Sequence, residues 1–67
     1  MMEVIVNGAN QSLAAGASIQ DLLQQLGMTQ GRIAVELNAE IVPRSRYQET
    51  PLNAGDKVEI VHAIGGG

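Results

Sequence analysis

One short helix constrains this chain more than any other feature. Between Ser18 and Gly27, the residues Ile19, Leu22, Leu23 and Leu26 recur at i, i+3, i+4 and i+7, which puts them on one apolar stripe. Gln20, Gln24 and Gln25 fall on the opposite side. Ser18 can cap the free amides of the first turn, and Asp21 stands three residues on in the arrangement of a capping box. Gly27 suits the left-handed position just past a helix end. A helix with one apolar stripe must be covered, and the rest of the chain reads as strands and turns, so the cover is a sheet.

The strand signals are consistent with this. Met2 to Val6 is short, apolar and β-branched, and Asn7-Gly8 follows at once, a pair suited to a type I′ hairpin turn with two positive φ angles. Ala9 to Leu13 is the return strand, and Ala15-Gly16 breaks the pattern. Ile33 to Leu37 alternates, with Ile33, Val35 and Leu37 on one face and Ala34 and Glu36 on the other. Asn38-Ala39-Glu40 reads as a tight turn into the short strand Ile41-Val42, which Pro43 confines to an edge or an end. Arg44 to Thr50 is polar and loop-like, and Asn53-Ala54-Gly55-Asp56 is a turn cluster. Lys57 to Ile64 is the last strand, with Val58 and Ile60 on one face and Glu59, Val61 and Ala63 on the other. The fold class is α+β: a mixed sheet packed on one main helix, with the first and last strands parallel at its centre. This is the ubiquitin-like β-grasp. The domain is expected over residues 1–64, followed by a glycine tail at 65–67.

Size and composition narrow the function. A chain of 67 residues builds one small core and leaves no room for an enclosed substrate cavity beside it. Tyr47 is the only aromatic residue, and four Lys and Arg stand against seven Asp and Glu, for a net charge of −3. Nucleic acid and anionic membranes are therefore not expected as partners, and a basic groove on another protein is. The absence of cysteine removes disulfides, thiolate catalysis and thiolate metal sites. No apolar run is long enough to span a bilayer, and Met1-Met2-Glu3 does not begin a signal peptide, so a soluble cytoplasmic protein is expected. The lone His62 lacks companions for a metal site and reads as a structural or surface residue. Glu36, Glu40, Asp56 and Glu59 read as a solvated face, with no cleft to shift a pKa. Arg44 and Arg46 read as surface ion pairs, with a partner contact as the alternative, and Tyr47 as a gap-filler or loop anchor.

The chemistry lies in the last three residues. Gly65-Gly66-Gly67 follows the final strand with no turn to explain it. A frayed terminus is one reading. The other is a thin, flexible thread, free of Cβ atoms, that passes down a narrow channel into another enzyme's active site. An α-carboxyl ionises at about pH 3.5, so it is an anion at cell pH. A carboxylate can attack the α-phosphate of ATP, and no side chain then hinders a sulfur nucleophile at the acyl carbon.

With these residues in view, the chain resembles the ThiS family of sulfur carriers of thiamine biosynthesis. The resemblance rests on VELNAEIVPRS at 35–45, ETPLNAGDKVEIVHAI at 49–64 and the Gly66-Gly67 end, with Val4 to Gly8 and the helix also fitting. Gly65 is an additional glycine ahead of the pair. The di-glycine end is shared with ubiquitin and the small subunit of molybdopterin synthase; the 35–45 segment points to ThiS. The resemblance implies adenylation of Gly67 with Mg-ATP by a ThiF-like enzyme. Sulfur-relay proteins would then form a thiocarboxylate, and the sulfur would pass to the thiazole ring on a ThiG-like thiazole synthase. The carrier itself would hold no cofactor and catalyse nothing. The expected docking face is the outward side of the sheet: Ala34, Glu36, Glu59, Val61 and Ala63, with Ile64 beside them. A carrier for molybdopterin or cysteine synthesis, and a β-grasp binding module or protein modifier, are the alternatives.

Overall fold

The structure, a computed structural model, describes residues 1–62. Five strands form one mixed sheet: β1 (Met2–Val6), β2 (Ala9–Leu13), β3 (Ile33–Leu37), β4 (Glu40–Val42) and β5 (Lys57–His62). Their spatial order is β2-β1-β5-β3-β4. β1 and β5 run parallel, whereas the β1–β2, β3–β4 and β3–β5 pairs are antiparallel. The helix α1 (Ile19–Leu26) lies between β2 and β3 in the chain. The expected β-grasp arrangement is thus the one observed.

The core is almost entirely aliphatic. Ile19, Leu22 and Leu23 from α1 are buried in one cluster with Val4, Val6, Leu13, Val35, Val58 and Ile60 from the sheet. Leu26 is only partly buried at the edge of that cluster. The strand residues reach it because alternate side chains share a face. The last strand follows this alternation: Val58 and Ile60 are buried, and Lys57, Glu59 and Val61 are exposed.

The entry to the helix satisfies every orphan amide of its first turn, a requirement at any buried helix end. Ser18 Oγ accepts from the Asp21 amide and Asp21 Oδ2 accepts from the Ser18 amide, which completes the capping box. The Ile19 amide donates to the Thr50 carbonyl, the Gln20 amide to the Tyr47 carbonyl, and the Leu22 amide to the Ser18 carbonyl. At the other end Gly27 takes the left-handed conformation at φ 73°, and its amide donates to Gln24 O.

The segment after β4 is more ordered than its polar sequence suggests. Arg44–Arg46 form a 3-10 turn that ends on Tyr47. Tyr47 is buried in the main cluster, as is Leu52 further along. The Leu52 amide donates to Ala17 O, so this segment is stitched to the start of the helix. Arg44 donates to the Gly31 carbonyl at 2.7 Å, and Arg46 pairs with Glu49 at 3.8 Å in an exposed contact. Arg46 therefore forms the surface ion pair expected of it, whereas the partner of Arg44 is a backbone carbonyl and not a carboxylate.

Two substitutions test this packing. Leu22→Ala leaves a hole at a fully buried position of the helix stripe and is expected to cost about 2–5 kcal/mol in urea denaturation. Ser18→Ala removes the cap and is expected to cost about 1 kcal/mol.

Candidate functional site

The candidate site has two parts, a terminal group and a surface beside it. The terminal group is the carboxylate expected at Gly67. Gly65, Gly66 and Gly67 lie outside the described residues, as do Ala63 and Ile64 of the expected docking face. The surface is formed by the residues that precede them.

The four remaining docking residues share the outward side of the sheet. In the β3–β5 register Ala34 stands opposite Val61 and Glu36 opposite Glu59. Val61 is 57% exposed, a large apolar side chain left in water. Among the described residues no second layer covers this side, because α1 and the loop residues Tyr47 and Leu52 join the cluster on the other.

Sequence reasoning missed a further member. Ile41 on the edge strand β4 is opposite Glu36 in register and is 74% exposed. The face therefore alternates Ile41, Glu36, Glu59 across three strands, with Val61 and Ala34 in the next row. The signal was present in the sequence, since an Ile directly opposite a predicted outward Glu must itself point outward. It needed the length of the Asn38-Ala39 turn to be fixed first. Both of these residues have positive φ, at 50° and 72°, so the turn is two residues long and Glu40 already belongs to β4.

Apolar residues set among acids on an uncovered sheet face are the pattern of a partner surface. The Glu36–Glu59 pair adds to this, because like charges directly opposite across two strands destabilise the sheet. A depression of about 370 Å³ lies at this end of the face, lined by Glu36, Asn38, Ala39, Lys57 and Glu59. Among the described residues no group of three or more His, Cys, Asp or Glu could hold a metal ion. His62 stands opposite Ile33 at the end of the described β3–β5 pairing, exposed. No helix among the described residues is long and apolar enough to cross a membrane.

The ThiS family model matches residues 4–67. This chain belongs to the ThiS family. Among its relatives, the sulfur carrier protein ThiS of Escherichia coli is 32% identical over 66 residues, which cover 98% of this chain and 100% of that one. The crystal structure of the thiamine biosynthesis protein ThiS from Geobacter metallireducens superposes with a TM-score of 0.85 at 33% identity, covering 98% of this chain and 100% of that chain. A thiazole synthase of Paramagnetospirillum magneticum is 44% identical over 66 residues, but those residues are 98% of this chain and only 20% of that protein. The ThiS resemblance and the β-grasp fold read from the sequence are both borne out. The family is one of small sulfur carrier proteins and not of catalysts.

The charge pattern of the face yields a measurement. Glu59→Lys turns the like-charge pair with Glu36 into an opposite-charge pair. It is expected to raise stability by up to about 1 kcal/mol, with the gain shrinking as salt is added to the denaturation series.

Proposed function

We propose that this chain is a sulfur carrier protein of thiamine thiazole biosynthesis, working in the cytoplasm, and that the carboxylate of Gly67 is its working group. Membership of the ThiS family over residues 4–67 carries this reading. The chain divides into a β-grasp domain over residues 1–64 and a glycine tail over residues 65–67. A ThiF-like adenylating enzyme binds the domain and takes up the tail with Mg-ATP. A carboxylate oxygen of Gly67 attacks the α-phosphorus of ATP, pyrophosphate leaves, and an acyl-adenylate results. The persulfide of a relay protein then attacks the acyl carbon and AMP leaves, and a thiol reductant cleaves the resulting acyl disulfide, forming a disulfide with the relay sulfur and leaving the outer sulfur on Gly67 as a thiocarboxylate. The product thiocarboxylate donates its sulfur to the forming thiazole on a ThiG-like thiazole synthase. ATP and magnesium are the activating enzyme's substrates; the carrier holds no cofactor and supplies no catalytic side chain.

A thiazole synthase as partner is supported by the relative in which a segment similar to this whole chain forms 20% of a protein of that name. The docking surface is the outward sheet face. Val61 and Ile41 supply its exposed apolar area, Ala34 allows close approach, and Glu36 and Glu59 select a basic rim on the partner. Ala63 and Ile64, outside the described residues, are assigned to partner contact on the sequence reading alone. One face serves both partners in turn, so the carrier is bound by one at a time.

Two experiments test this. The intact mass of the protein from thiamine-starved cells is expected to rise by the exchange of one oxygen for sulfur, and deletion of Gly67 is expected to abolish the rise. If no thiocarboxylate forms with ATP, the activating enzyme and a sulfur source, the chain is a binding module that shares the fold. Separately, Val61→Asp is expected to abolish binding to the adenylating enzyme and to the synthase while the fold survives, as read by circular dichroism. Unchanged affinity for both would remove the sheet face from the mechanism.

A further inference from the structure

β5 is the strand that leads to the tail, and its two sides are held differently. Toward β3 it has five successive register pairs, from Leu37↔Val58 to Ile33↔His62. Toward β1 it has two, Ile5↔Lys57 and Val6↔Val58. β1 then leaves the sheet lane, because the hairpin turn at Asn7-Gly8 takes the chain back as β2.

The side chain of Asn7 fills the vacated lane. Its main-chain amide makes the last backbone tie, donating to Val58 O at 2.9 Å. Its carboxamide then continues the ladder. Asn7 Oδ1 accepts from the Ile60 amide at 2.8 Å, and Asn7 Nδ2 donates to the Ile60 carbonyl at 3.1 Å. In a continuing parallel strand the Ile60 amide and carbonyl would be met by the carbonyl of one residue and the amide of the residue two further on, and the single Asn7 carboxamide supplies both the acceptor and the donor. The contact joins residues 53 apart in the chain and is partly buried.

Turn chemistry alone does not call for this residue. Asn7 sits at φ 50°, where Asn, Asp and Gly are all tolerated, and Asp-Gly and Gly-Gly serve a type I′ turn as Asn-Gly does. Only Asn presents both an acceptor and a donor to Ile60. An Asp carboxylate would be acceptor-only and would set its charge against the Ile60 carbonyl.

We infer that Asn7 is a positioning residue for the terminal reaction: its carboxamide clamps β5 at Ile60 and so fixes the direction from which the chain runs on toward Gly67. The inference rests on the carrier function proposed above. Placement of a reacting group matters steeply, since a displacement of about 1 Å can cost on the order of a hundredfold in rate. The clamp is made by neither the outward face nor the tail, so it separates positioning from docking.

The test compares the full chain with Asn7→Asp and Asn7→Gly, using pyrophosphate release by the activating enzyme as the readout. Both variants keep the turn. The expected result is a kcat lower by on the order of tenfold with KM for the carrier within about twofold of the parent, because the docking face is intact. By nuclear magnetic resonance the Ile60 amide is expected to exchange faster in both variants, while the Val35 amide keeps its protection and reports an intact sheet. If Asn7→Asp does not fold, Asn7→Gly carries the comparison. An unchanged kcat, a rise in KM alone, or an Ile60 amide that stays equally protected overturns the inference. If the parent chain itself releases no pyrophosphate, the carrier function fails and the positioning role fails with it. That outcome is distinct from a difference between parent and variant.

Discussion

The structure depends on covering one eight-residue helix. An isolated helix of that length is not stable in water, because its nucleation cost is spread over too few bonds. α1 persists because Ile19, Leu22 and Leu23 are withdrawn from water by the sheet, and because its first-turn amides are all taken up by Ser18, Tyr47 and Thr50. The sheet is equally dependent, since its buried residues Val4, Val35 and Val58 would otherwise face solvent. Neither layer is stable alone, and with one aromatic residue in the chain the contact between them is built from branched aliphatic side chains. Shape, not ring area, holds this core together.

Covering only one face of the sheet leaves the other for use. A domain of this size has too little apolar material for a second layer. Ile41 and Val61 are thus exposed on a side that nothing in the described chain covers, with Glu36 and Glu59 beside them. A carrier needs only such a surface and a terminal group.

Local patterns in the sequence disclosed most of the fold. The helix stripe, its Ser18 and Gly27 caps, the Asn7-Gly8 turn and the alternation of Ile33 to Leu37 are properties of neighbouring residues, and each is where its pattern placed it. What escaped reading depends on distant partners. Arg44 to Thr50 read as a polar loop anchored at Tyr47; the anchor is where it was expected, but the 3-10 turn at Arg44–Arg46 that delivers it depends on burial by residues far away in the chain. Ile41 looked like a plain strand residue until the two-residue turn set its register against Glu36. Asn7 looked like a turn former, and its bonds to Ile60 span nearly the whole chain. The face around Val61 was legible as geometry from alternation alone. The residues beyond His62 lie outside the described structure.

The place of β5 between β1 and β3 has a consequence for biosynthesis. It is the last of the five strands to be made, yet it joins the two halves of the sheet. Before it is available the β1–β2 hairpin and the β3–β4 hairpin have no common neighbour, and isolated hairpins are marginal in water. A chain interrupted upstream of Lys57 therefore cannot assemble the outward face at all. Aborted translation products therefore lack the face proposed above for docking, which forms only in chains whose synthesis has passed through β5.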